Sequence, residues 1–373
     1  MTLPAQVPQE PHIETSEHAL RENFLADARP WIVAYSGGKD STLTLQLVYE
    51  LLLSLPPERR KPVHVLASDT RVEAPNVEAY LQQSLAAIQT HADAYGLPVT
   101  THLVQPSVEN GFWFNLIGKG YPPPTRWFRW CTSKMKIKPV RAVVEQIAAT
   151  GAGSVILLLG TRYKESANRA KNMRARTRNS RGLNPHHEIP NALVLAPIAH
   201  WDEDQVWDYL MSNNPAPWGD THDVLWQMYR DANSGECPVV TDLNTPSCGG
   251  SRFGCWTCTV VKEDKSMKGF IAAGNESMRG LYEFRNWLKE IREDDAYRCV
   301  YRRNGQKGEG PFTSEARKEI LTKLLCVEGE YGAELIGDEE LLKIQQAWTD
   351  DFDVAHSALR IAHRFGRRLR LNP

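Results

Sequence analysis

Two groups of residues in this 373-residue chain have types and spacings that do chemistry. The first is Ser36, Gly37, Gly38, Lys39, Asp40, Ser41 and Thr42, placed after the apolar run WIVAY and before an amphipathic stretch. That order predicts a strand, a glycine turn and a helix N-terminus, whose unpaired backbone N–H groups attract a phosphate. Gly37 and Gly38 permit close backbone approach, Ser36, Ser41 and Thr42 supply hydroxyls, and Lys39 supplies positive charge. Asp40 is expected to cap the helix or help hold magnesium. A Walker loop is excluded, because it needs four residues between its glycines and a Lys-Ser/Thr end. The second group is Cys248, Cys255 and Cys258 in SCGGSRFGCWTC, with Cys237 shortly before. A C-x6-C-x2-C run in a glycine-rich loop can wrap a metal centre, and its glycines free N–H groups for cluster sulfides.

The elements that must position these groups follow from periodicity. Short β-like runs at 31–35, 62–67, 98–104, 154–159 and 192–196 alternate with helical patterns at 40–54, 75–95, 137–149 and 203–212, the rhythm of a doubly wound, mostly parallel α/β sheet. Residues 1–28 read as a loose tail and short helix, 29–215 as the α/β nucleotide domain, 216–260 as a loop-rich cysteine junction, and 261–373 as a helical C-terminal domain. The run GFWFNLIGKGYPPPTRWFRWC at 111–131 interrupts the rhythm and is expected to be a structured insertion, a lid or substrate wall. Cys299 and Cys326 lie in helical patterns and are expected to be buried core thiols.

Net charge is -1, so any nucleic-acid contact must come from local basic patches. No apolar run reaches membrane-spanning length and no secretory signal is present, so a cytoplasmic chain without membrane contact is expected, its seven cysteines serving metal or sulfur chemistry more than disulfides. Lys171, Arg174, Arg176, Arg178 and Arg181 form a basic run expected to be a flexible loop, either a DNA contact or a solvated face. Arg364, Arg367, Arg368 and Arg370 form a second run, expected to be solvated or to meet a partner. His186, His187 and Glu188 are read as loop.

The heptad SGGKDST resembles the PP-loop of ATP pyrophosphatases, which split ATP between its α and β phosphates. LASDTRVEAPNVEAYL resembles the segment after strand two in the PAPS reductase group, which implies that Asp69 and Thr70 border the adenosine. GTRYKESANRA resembles that group's G-x-R-x-x-E-S-x-x-R element. This implies a strand-end Gly160, an Arg162 that pairs with phosphate, and Glu165 and Arg169 that order the loop or contact nucleotide. APIAHWDEDQVWDYL resembles a further element of the group, with Trp201, Val206, Trp207 and Leu210 as core. RWCTSKMKIKP resembles the C-C-x-x-R-K-V-x-P segment of cluster-bearing sulfonucleotide reductases, with Cys131 at the first cysteine, Thr132 replacing the second, and Lys136 and Pro139 in register. The missing second cysteine means that the ligand set must differ from that family's, and Cys248 is the natural substitute, giving Cys131, Cys248, Cys255 and Cys258 on a 4Fe-4S cluster. Cys237 competes for the fourth position or serves as a sulfur relay, and a three-cysteine cluster or structural zinc remains an alternative.

With TVVKEDKSM, GPFTSEARKEIL and ELLKIQQAW added, the chain resembles the DndC/SspD family, PAPS-reductase-like ATP pyrophosphatases of bacterial DNA phosphorothioation. The resemblance implies an adenine nucleotide alpha-hydrolase-like fold and a sulfurtransferase role in which a DNA backbone phosphate is adenylylated so that sulfur can enter. It implies ATP, Mg2+ and a 4Fe-4S cluster as cofactors, Lys39, Asp40 and Arg162 as catalytic residues, and DNA, a cysteine desulfurase and other phosphorothioation-system proteins as partners. A PAPS or APS reductase is the first alternative, disfavoured because the tail HRFGRRLRLNP has no cysteine. A tRNA thiolation enzyme and a non-catalytic Fe–S DNA-binding protein are the others.

Overall fold

The computed structural model describes residues 11–150, 153–165, 167–175, 179–232 and 253–370. Among them, six strands form one sheet in the order β3-β2-β1-β4-β6-β5. The strands are β1 (Trp31–Ala34), β2 (Val63–Ser68), β3 (Val99–Val104), β4 (Val155–Leu158), β5 (Asn184–Pro185) and β6 (Ala192–Leu195). Every pairing is parallel except β5 with β6. The two-residue β5 was not legible in the sequence, because Asn-Pro carries no strand pattern.

The helices are α1 (Pro11–Leu25), α2 (Lys39–Ser54), α3 (Pro75–Ala94), α4 (Lys138–Thr150), α5 (Ala167–Arg174), α6 (Glu203–Ser212), α7 (His222–Ala232), α8 (Lys265–Ala272), α9 (Arg279–Arg292), α10 (Ser314–Tyr331), α11 (Asp338–Asp351) and α12 (Ser357–Arg364). Alternation along β1 explains the layering: Trp31 and Val33 face one core with Leu43, Leu85, Trp201 and Leu225, while Ile32 faces the other with Val144, Ile147 and Leu157. Both sheet faces are thereby covered, the doubly wound arrangement.

Three expectations need correction. Residues 216–260 are not loop throughout, since α7 lies within them, and its Leu225 and Tyr229 pack into the sheet's own core. The 111–131 run is no lid. Phe112, Trp113, Leu116 and Ile117 are buried in the core of the helical region, where a π-type turn over Phe114–Gly118 lies against α10 and α11. Lys171 and Arg174 sit on helix α5 instead of a flexible loop.

The helical region has a core of its own, including Phe270, Leu281, Leu288, Ile320, Leu324, Ile344 and Trp348. Trp256 of the CxxC joins it, which fixes the cysteine loop between the two cores. No helix among the described residues is long and apolar enough to cross a membrane.

Candidate nucleotide and cysteine site

The turn after β1 is built as the glycines dictate. Gly37 has φ +71°, a conformation costly for any residue with a Cβ, and Gly38 caps α2 in extended geometry. Ser41 Oγ donates to the Gly38 carbonyl at 2.8 Å and lies 3.1 Å from Ser36 Oγ, closing the loop on itself. Lys39 is buried, with Nζ 3.3 Å from Glu203, 3.9 Å from Asp40 and 4.8 Å from the Tyr229 ring centre. Burial opposes its charge, but Tyr229, Asp40 and Glu203 outweigh burial and raise its pKa, so the ammonium persists at neutral pH.

The loop after β4 approaches this turn through Gly160. A Cβ there would lie 2.5 Å from the Asp40 carbonyl oxygen, so only glycine admits the contact. The approach delivers Arg162, itself buried, whose Nε donates to Asp40 Oδ1 at 2.8 Å. The structure therefore places the Arg162 guanidinium on Asp40, where it orients that carboxylate. Asp40 makes no side-chain cap to α2.

These elements enclose a cavity of about 1080 Å³ at the C-terminal ends of the parallel strands. Of the residues expected to bind ATP, Ser36, Gly38, Lys39, Asp40, Ser41, Asp69, Gly160 and Arg162 line it. Gly37 and Thr42 lie behind it, Thr42 fully buried in the first turn of α2. The side chain of Arg169 lies outside the described residues. Asp69 is held by Gln105 Nε2 at 2.8 Å and by the Arg71 N–H at 2.7 Å. Sequence reasoning missed Glu203, Tyr229 and Phe253 as lining residues. Two buried oxygens on the cavity wall, Ser68 Oγ and Asp204 Oδ1, have no hydrogen-bond partner among the described residues. Asp204 therefore suits a divalent cation better than Asp40, whose oxygens face Arg162 and Lys39.

Thr70 turns away from the cavity towards the cysteines. Its Oγ1 donates to Glu73 at 2.9 Å and lies 3.3 Å from Cys255 Sγ. Glu73 and Cys255 form an antiparallel bridge, and the Trp256 N–H donates to the Val72 carbonyl at 2.9 Å. The loop between β2 and α3 thus seats the CxxC. Arg285, fully buried, holds its far side by donating to the carbonyls of Cys258 (2.9 Å) and Val261 (2.5 Å). Lys136 lies 3.5 Å from Glu73, and both line the cavity.

Cys131, Cys255 and Cys258 share this region closely enough for their charges to interact. Burial raises the Cys131 and Cys255 thiols while Lys136 opposes the rise at both, and clustered thiols are soft sulfur donors. The donor chemistry therefore fits an iron–sulfur or zinc centre. Among the described residues, however, no three Cys, His, Asp or Glu close into a metal site. Cys248 and Cys237 lie outside the described residues, as do Arg176 and Arg178.

The remaining expectations divide. Cys326 is exposed on α10 and Cys299 lies in an extended segment after α9, half-buried, so neither is a core thiol. Arg174 stacks over the Tyr163 ring at 5.6 Å, and Lys171 is exposed, away from the cavity. Arg367 is not solvated: it pairs with Glu328 at 2.7 Å and Glu334 at 3.2 Å, and also with Asp338. His186, His187 and Glu188 are loop and line the cavity rim.

A model of the phosphoadenosine phosphosulfate reductase domain matches residues 30–261. An uncharacterized protein of Methanocaldococcus jannaschii is 29% identical over 192 residues, 52% of this chain, and the match spans about a third (33%) of that relative's length. Among solved structures, the phosphoadenylyl-sulfate reductase of Candida auris in a phosphate complex is similar at TM-score 0.33 and 15% identity, over 57% of this chain and 88% of that one. The U34-tRNA thiolase NcsA of Methanococcus maripaludis with its 4Fe-4S cluster is similar at TM-score 0.33 and 13% identity, over 65% and 89%. Candida glabrata FMN adenylyltransferase with FMN and an ATP analogue is similar at TM-score 0.34 and 12% identity, over 87% and 84%.

Proposed function

This chain belongs to the phosphoadenosine phosphosulfate reductase domain family, and from that premise we propose that it splits ATP to AMP and pyrophosphate in order to activate a DNA backbone phosphate for sulfur insertion. The observation that carries the reading is the shared wall: Glu73 lines the cavity that holds the glycine turn and also contacts Cys255, 3.7 Å from Sγ. That adjacency supports a reading in which nucleotide activation and sulfur chemistry serve one substrate.

In this reading the α2 N-terminus and Lys39 hold the leaving pyrophosphate, and Glu203 and Tyr229 keep Lys39 aimed. Arg162 fixes Asp40, so the turn keeps its shape as charge builds on the leaving group. A non-bridging DNA oxygen attacks the α-phosphorus, the α–β bond breaks, and pyrophosphate leaves with that bond's electron pair. A persulfide made by a cysteine desulfurase then attacks the activated DNA phosphorus and expels AMP. A second thiol cleaves the S–S bond, forming a disulfide and leaving sulfur on the phosphate. Asp204 would hold a magnesium ion, which would supply charge neutralisation for the phosphates. Cys131, Cys255 and Cys258, with Cys248 or Cys237 as the fourth ligand, would hold a 4Fe-4S cluster, which would supply sulfur-ligating chemistry.

The test is transfer of radiolabelled sulfur from cysteine, through a desulfurase, into DNA in the presence of ATP. The expected product is a nuclease-resistant dinucleotide carrying the label. Sulfite released from a sulfonucleotide, or label appearing only in tRNA, would replace this reading with one of its alternatives.

A further inference from the structure

The segment leading into Cys131 carries an unusual surface. Trp127 is 92% exposed and Phe128 46% exposed, side by side at the tip of a turn. The turn is nonetheless fixed. Thr125 donates its N–H to the Phe128 carbonyl at 3.2 Å and its Oγ1 accepts from the Phe128 N–H at 3.0 Å. Just before it, the Pro124 carbonyl accepts from Thr259 Oγ1 at 2.8 Å and from Arg292 at 2.9 Å, which ties the turn to the residue following Cys258. A large apolar ring held rigidly in water is costly unless something covers it.

The charge around it says what covers it. Arg126 and Arg129 flank the two aromatics, and Tyr121, 6.2 Å from Phe128 between ring centres, lies beneath Lys134 at 5.6 Å and Arg303 at 5.9 Å. None of these four cations has a carboxylate at ion-pairing distance among the described residues. In a chain of net charge -1, such a cluster calls for a polyanion. Aromatic faces among cations without carboxylate partners suit a nucleic-acid strand better than an acidic peptide, because each exposed base offers a π-face to stack on. The strand must be unpaired at that point, since bases within a duplex already stack on their neighbours. Cys131 is four positions after Trp127, a span of at most ~14 Å.

We propose that Trp127 and Phe128, with Arg126, Arg129, Lys134 and Arg303, form a stacking platform that holds an unpaired base of the substrate strand beside the cysteine site. The proposal rests on the reading that the substrate is nucleic acid. It names the strandedness, which the sequence left open, and a surface distinct from the basic run at 171–181.

The test is binding of a fluorescein-labelled single-stranded DNA oligonucleotide to the full chain without ATP, followed by anisotropy. Trp127→Ala should weaken binding about 5- to 100-fold, the range of one lost base–aromatic stack. Trp127→Phe should retain most of it, and Lys134→Gln should lower the salt-dependence slope by about 0.7. Circular dichroism confirms the fold of each variant. Unchanged affinity in Trp127→Ala overturns the platform, as does a polyglutamate chain that binds more tightly with the same dependence on Trp127. AMP formation, measured separately, keeps the two readings apart. Trp127-dependent binding without AMP sinks the pyrophosphatase reading alone, and AMP formation with Trp127-independent binding sinks the platform alone.

Discussion

Glu73 and Cys255 are bridge partners, and the Glu73 carboxylate takes the Cys255 thiol at 3.7 Å, the Thr70 hydroxyl at 2.9 Å and the Lys136 ammonium at 3.5 Å. One buried carboxylate thus joins the wall of the cavity to the cysteine loop. Glu73→Ala removes all three partners at once and should cost about 2–3 kcal/mol in denaturant unfolding. Glu73→Gln keeps an acceptor for Thr70 and should lose less than half of that.

Gly160 sets the approach of the β4 loop to the glycine turn. Gly160→Ala would place its Cβ 2.5 Å from the Asp40 carbonyl oxygen, backbone against backbone, so the loop must retreat. The expected result is a loss of about 2–4 kcal/mol in stability and at least a tenfold fall in AMP formation. Asp40→Asn, which leaves the buried Arg162 without its counter-charge, should be comparably damaging, by about 3–5 kcal/mol. Because both act on one contact, the double variant should cost clearly less than the sum.

Arg285 holds the chain beyond the CxxC through backbone carbonyls. Arg285→Met leaves those of Cys258 and Val261 unpaired and should destabilise the protein by about 3 kcal/mol, with a parallel loss of bound iron in protein purified without oxygen. Arg285→Lys, with three donors in place of five, should recover only part of either quantity.

Two buried groups give the stability a pH dependence of opposite sense. Burial raises Glu340 to about 7, although the Phe114 N–H bond at 2.8 Å and Arg71 oppose the rise. Its folded form binds the proton more tightly than the unfolded chain, so stability is lost as pH rises from about 4.5 to about 7. Glu340→Gln keeps the bond to Phe114 and should raise stability at pH 8 by about 1–3 kcal/mol, with little change at pH 4. His222 runs the other way: burial lowers it to about 4, and its ring bonds Gln46 at 2.8 Å. Stability is therefore lost as pH falls from about 6.5 to about 4, and the His222 imidazole resonance should titrate near 4.

The glycine turn was legible because its chemistry is local: φ at Gly37, the cap at Gly38 and the free N–H groups of α2 follow from adjacent residues. The same holds for the parallel strands, whose apolar runs needed only counting. Tyr229 was not legible, since it meets Lys39 from 190 positions away and on a helix the sequence reading missed. The amphipathic spacing of Leu225, Met228, Tyr229 and Ala232 was the available signal for that helix. Arg162 resembled a phosphate ligand by its place at a strand end, but whether it meets a phosphate or Asp40 depends on how closely Gly160 lets the loop approach. The run at 111–131 reads as an insertion from its glycines, prolines and aromatics. Its burial in the helical region's core was not legible because the π-type turn over Phe114–Gly118 buries consecutive residues on several sides, which defeats both strand and helix periodicity.

The central claim is cleavage of ATP between its α and β phosphates. ATP labelled at the α-phosphate, incubated with anaerobically purified protein, DNA and a desulfurase with cysteine, should yield labelled AMP and an equal amount of pyrophosphate, and Lys39→Met should abolish both. Labelled ADP with released phosphate, or no turnover with every component supplied, would contradict the account.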